Sequence, residues 1–85
     1  MEHPLLQYWC YQIEQNSSDM NWYAQIFIQF SRLVPSYVVY NLVGGNKALL
    51  MVAQYPNLAR NRCTRPEHRV SDLVEYGTYI ISDYE

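Results

Sequence analysis

Charge is scarce in this sequence. Asp, Glu, Lys and Arg make up 16% of its 85 residues, against about 25% in an ordinary soluble domain. Chains that stay disordered are highly charged and poor in apolar residues, and here 49% are apolar, so disorder is excluded. Nor is there a cationic field: a net charge of −2 and a pI near 5.6 give no global attraction for nucleic acid. The longest apolar stretch, around residues 48–53, falls far short of the roughly 18 residues that argue a membrane span. Cys10 and Cys63 lie far apart without Cys-x-x-Cys spacing, and "MEHPLLQYWC" lacks the basic start and long apolar core of a secretory signal. A reduced, cytoplasmic setting is the expectation.

Catalytic and metal signatures are also missing. The two histidines, His3 and His68, have no partner at His-x-x-x-His spacing, and no Asp/Glu cluster has ligand spacing. Neither metal nor cofactor is expected. Cys63 lies between Arg62 and Arg65, and nearby cations lower a thiol pKa, but no base other than His68 is close in sequence, so an unreactive thiol is expected. "GGNK" at 44–47 lacks the spacing of a phosphate loop and precedes an apolar run, which makes it a turn with a solvated lysine. A nucleophile, base and orienting group cannot be assembled, and the expected protein is not an enzyme.

Tyrosine is abundant instead, with nine residues, joined by Trp9 and Trp22. Such amphipathic rings favour interfaces, because one end is apolar and the other forms hydrogen bonds. A chain of this length supports one core, so residues 1–85 form a single domain.

At 100° per residue, Leu5, Leu6, Trp9, Cys10 and Ile13 share one arc, which predicts a helix over 4–15 with Pro4 at its first position. Trp22, Tyr23, Ile26, Phe27, Phe30, Leu33 and Val34 do the same and predict a helix over 19–33 ended by Pro35. The rival for that segment is a strand, since it alternates and is rich in aromatic and β-branched residues. Tyr37 to Val43 and Lys47 to Tyr55 predict an antiparallel hairpin around Gly44 to Asn46. Residues 57–65 then form a loop, Pro66 starts a third helix that Gly77 stops, and residues 78–84 are a β-prone tail able to pair with the hairpin. The expected fold is thus α+β: two N-terminal amphipathic helices packed on a hairpin of two or three strands, with a short C-terminal helix. Apolar residues on both faces of the hairpin exceed what three helices cover, which predicts a homodimer through the uncovered hairpin or tail.

Four of the five arginines, Arg60, Arg62, Arg65 and Arg69, fall within ten residues opposed only by Glu67. Guanidinium forks grip carboxylates and phosphates, so this cluster is the candidate anion or partner site. The acidic tail, with Asp72, Glu75, Asp83 and Glu85, offers the same arginines an internal pairing. Tyr37, Tyr40, Tyr55 and Tyr79 are the candidate interface aromatics. Together they predict a small interaction or regulatory module that occupies a surface on another protein, similar in size and composition to compact phage or mobile-element inhibitors. The alternative is a nucleic-acid or nucleotide binder using Arg60, Arg62, Arg65 and Arg69 on phosphates.

Overall fold

Residues 6–15 and 22–30 concentrate aromatic and β-branched side chains, which suit a half-buried pleated surface, and both are strands. The computed structural model describes residues 1–45 and 48–83. Its elements run β1 (Leu6–Gln15), β2 (Trp22–Phe30), α1 (Ser36–Val43), α2 (Pro56–Thr64) and β3 (Val74–Gly77). β1 is the middle strand of an antiparallel sheet in the order β2-β1-β3. The turn between β1 and β2 is closed by Asn16 N–H on Asn21 O at 2.8 Å, and the Asn16 and Asp19 side chains accept backbone amides two residues on, as Asx turns do.

Helices and an antiparallel sheet are both present, but in the reverse of the expected order. The helices predicted over 4–15 and 19–33 are β1 and β2. The predicted hairpin over 37–55 is absent: its first arm is α1, and residues 48–55 have no regular structure. Asn46 of its turn and Lys47 at the start of its second arm lie outside the described residues, as do Tyr84 and Glu85 of the tail. The predicted loop 57–65 is almost wholly α2, the predicted third helix is a bend followed by β3, and residues 78–83 form no strand.

Each correction has a physical cause. On β1 the buried row is Tyr8, Cys10, Gln12 and Glu14, and two polar members erase the hydropathy alternation by which a strand is recognised. In α1, Gly44 adopts φ 91 and the Gly45 amide bonds Tyr40 O at 2.8 Å, so the double glycine stops a helix in the left-handed region instead of turning a hairpin. Pro56 opens α2 at the first helical position, where its missing N–H costs nothing. The tail is tied by side chains: the Gln29 amide exchanges two hydrogen bonds with the Ile80 backbone at 2.8 and 2.9 Å, and Asn57 bonds both ends of Ser82.

α2 packs on one face of the sheet, against β1 and β2. Beneath it, the buried apolar residues among those described are only Tyr8, Cys10, Phe27 and Cys63, with Ala59, Leu73 and Tyr79 packed against them. No Cα of α1 comes within 8 Å of a strand or of α2. Leu49, Met51 and Val52 are 90%, 79% and 91% exposed. The accessible surface is 6438 Å² for 10.1 kDa, where monomers of that mass expose roughly 5,300 Å². The radius of gyration, 13.0 Å, likewise exceeds the roughly 12 Å of a tightly folded chain of this length. Among the described residues, no helix is long and apolar enough to cross a membrane.

Candidate functional site

The fold divides the four clustered arginines between separate tasks. α2 carries Arg60 toward β3, where Nη2 lies 3.1 Å from Glu75 Oε2 and Nε donates to the Tyr8 hydroxyl at 3.2 Å. Its guanidinium also stands over the Tyr79 and Tyr8 rings, 4.8 and 5.3 Å from their centroids. Tyr8 donates in turn to Glu75 Oε2 at 2.5 Å. Burial, reinforced by that bond, pushes the Tyr8 phenol well above its ordinary value. The Tyr8 hydroxyl and then Arg60 hold the Glu75 carboxyl below its usual range. Among the described residues, Glu75 is thus the tail carboxylate that engages the cluster.

Arg69 points the other way, into the sheet. Its Nε donates to Gln12 Oε1 at 2.7 Å and its Nη2 to Thr64 O. Gln12, wholly buried, donates through Nε2 to both Glu14 Oε2 at 2.8 Å and Arg65 O at 2.7 Å. Glu14, also wholly buried, accepts from the Tyr23 hydroxyl on its other oxygen at 2.9 Å. A buried carboxylate is tolerated only when its oxygens are bonded, and this row satisfies both. Arg62 and Arg65 remain exposed. The cluster named in the sequence is therefore not one surface: Arg60 and Arg69 knit the fold, while Arg62 and Arg65 face solvent.

Cys63 does not become a thiolate despite its arginine neighbours. It is buried beneath α2, Gln25 Nε2 lies 3.3 Å from its sulfur, and burial pushes its thiol up, as it does that of Cys10. Both cysteines are free. No three His, Cys, Asp or Glu among the described residues gather as a metal would require. A shallow, open depression of about 430 Å³ is lined by Asn57, Arg60, Asn61, Tyr79 and Ile81. Asn57 and Tyr79 bond each other there and Arg60 is held by Glu75, so three of the polar side chains at its rim are already engaged.

The predicted aromatics separate in the same manner. Tyr37 and Tyr55 are exposed, Tyr40 is half-buried on α1, and Tyr79 packs edge-on against Tyr8 and Phe27 beside the core. A more continuous aromatic surface lies on the strands that the helical reading hid. On the sheet face away from α2, strand pairing sets Trp9 beside Tyr76 and Ile28, Tyr11 beside Val74 and Ile26, and Ile13 beside Ala24. Trp9 stacks on Tyr76 at 4.4 Å and on Tyr11 at 5.7 Å. None of these residues is charged and none is fully buried. Period-2 placement of Trp9 and Tyr11 was the available signal, hidden by the helical stripe. Comparison with protein-family models, with curated proteins and with solved structures returned no match.

Proposed function

We propose that the protein is a small, non-catalytic binding module that occupies a surface on another protein in the cytoplasm, with the sheet face of Trp9, Tyr11, Ile26, Ile28 and Tyr76 as its contact surface. The observation that carries this reading is that α2 packs on one face of the sheet only, while the other presents stacked aromatics and isoleucines without a single charge. Tyrosine and tryptophan are the residues that anchor protein interfaces, combining apolar bulk with a polar edge. Exposed Tyr37 and Tyr55 extend the same chemistry, and Arg62 and Arg65 supply register against acidic groups. Free, buried thiols suit a reducing compartment. Nucleic acid is the weaker alternative, because Arg60 and Arg69 each have two donor nitrogens engaged inside the fold and the aromatic rings stack on one another.

The test uses a photo-crosslinking phenylalanine analogue placed at Tyr76 on the open face, or at Arg62 on α2, in the native host. Position 76 is expected to capture one defined protein whose binding is insensitive to salt, and position 62 to capture much less. An oligonucleotide mobility shift that weakens about a thousandfold between 50 and 200 mM salt, and that Arg62→Glu with Arg65→Glu abolishes, would replace this reading with the nucleic-acid one.

A further inference from the structure

The antiparallel ladder fixes which backbone groups of β2 face outward. Asn16 and Asn21 close the turn as a hydrogen-bonded pair, and the β1–β2 register continues from it through Glu14↔Tyr23, Gln12↔Gln25 and Cys10↔Phe27. Hydrogen-bonded and non-bonded pairs alternate in such a ladder, so the odd residues of β2 bond β1. Trp22, Ala24, Ile26 and Ile28 therefore turn their N–H and C=O groups away from the sheet. Natural edges are protected by brevity, charge, proline or a bulge. β3 has the first two, with four residues including Glu75. β2 has nine residues, no charge and no proline, and the register irregularity lies only at its end, opposite Leu6 and Tyr8.

That unguarded edge is also self-complementary. Gln25-Ile26-Phe27-Ile28-Gln29 is the same in both directions. When a strand pairs antiparallel with its own copy, opposed residue numbers have a constant sum, and that sum must be even for two outward-facing rows to meet. Centring on Phe27 meets the condition. Ile26 then faces Ile28 of the second copy, Gln25 faces Gln29, and Phe27 faces itself; β-branched and aromatic pairs of this kind stabilise cross-strand contact. Like charges cannot oppose one another, because the strand has none.

We propose that β2 pairs with β2 of a second copy about a two-fold axis at Phe27, joining two sheets into one of six strands. The order becomes β3-β1-β2-β2-β1-β3, and the remaining edges are the short ones. Both α2 helices lie on one side of the joined sheet, and the two Trp9 faces merge on the other. This pairing stands independently of any foreign partner on that face.

Light scattering behind size exclusion is expected to give twice the single-chain mass of 10.1 kDa at about 100 μM, falling to one chain below about 1 μM. Ile26→Pro removes an outward N–H without removing a β1 bond, a position where edge strands accept proline, and is expected to remain folded by circular dichroism yet monomeric. Amide exchange on the unaltered chain supplies the check if that variant unfolds: Ile26 and Ile28 are protected at high concentration and exposed on dilution, while Phe27 is protected at both. A single-chain mass at about 100 μM overturns the proposal, as does a folded Ile26→Pro that still dimerises. A dimer that leaves the Ile26 and Ile28 amides unprotected overturns it too, and moves self-contact to the Trp9 face.

Discussion

Gln12→Leu replaces a wholly buried amide by an apolar side chain of similar bulk, and the structure predicts that the more hydrophobic protein is the less stable one. Three groups lose their partner: Glu14 Oε2, Arg65 O and Arg69 Nε. Hydrogen bonds to charged groups contribute about 1.5–3 kcal/mol each and a neutral one about 1 kcal/mol, a gross loss of roughly 4–7 kcal/mol. Burying leucine returns about 1.5–3 kcal/mol. Arg69 is only half-buried and recovers part of its loss from water, so the net cost is about 2–4 kcal/mol. A domain of this length has about 4–13 kcal/mol in total, and each kcal/mol moves Tm by about 4–8 °C, so the midpoint should fall by at least about 8 °C. Urea unfolding followed by tryptophan fluorescence and circular dichroism measures the same loss, with an unchanged denaturant slope showing that only stability moved. A variant as stable as the parent, or more so, would refute the claim that this polar row holds the sheet, leaving Glu14 an incidental passenger.

Gly77 has φ +84, and a Cβ there would overlap the Gln7 carbonyl oxygen on the neighbouring strand. Gly77→Ala should therefore cost at least about 2 kcal/mol by thermal unfolding, more than left-handed strain alone, and expose the Val74 to Gly77 amides to exchange. Because the Glu75 pKa is depressed in the fold, first by the Tyr8 hydroxyl and then by Arg60, its contribution is present above the unfolded value near about 4.3 and is lost as pH falls through the lower folded value. The Tm advantage of the parent over Glu75→Gln at pH 7 should thus shrink to nothing in acid, and an advantage that persists would sink the assignment. Cys10 and Cys63 should react with iodoacetamide at under about a hundredth of their rate in urea, since labelling must await opening of the core; rapid native labelling of Cys63 would mean that α2 does not cover it.

Several cues in the sequence were chemically correct yet attached to the wrong element. Gly44 does supply positive φ and Pro56 does mark a boundary, but a glycine of that geometry ends helices as readily as it turns hairpins, and a proline begins a helix as readily as it ends a strand. β2 was visible as the rival to a helix, through its alternation and its aromatic and β-branched content. β1 was not, because Gln12 and Glu14 occupy core positions where a residue-by-residue hydropathy scale places solvent. Their partners, Arg69 and Tyr23, come from 57 and 9 residues away, and no local window contains both ends of such a bond. The internal pairing of the arginine cluster with the acidic tail was foreseeable in kind and is realised by Arg60 and Glu75. Which arginines stay exposed depended on α2, whose helical phase the predicted loop omitted.

The central position of β1 has a consequence for the growing chain. Its β2 side is filled by the next strand, within a short turn, but its other side waits for residues 74–77. At about 10 residues per second on the ribosome, roughly six seconds separate the completion of β1 from the arrival of β3. Throughout that interval the N-terminal hairpin carries two open edges, and nascent chains on neighbouring ribosomes offer the same sequence at the same stage. Synthesis rate and message crowding therefore act on this fold directly, because the strand that closes β1 is made long after β1 itself.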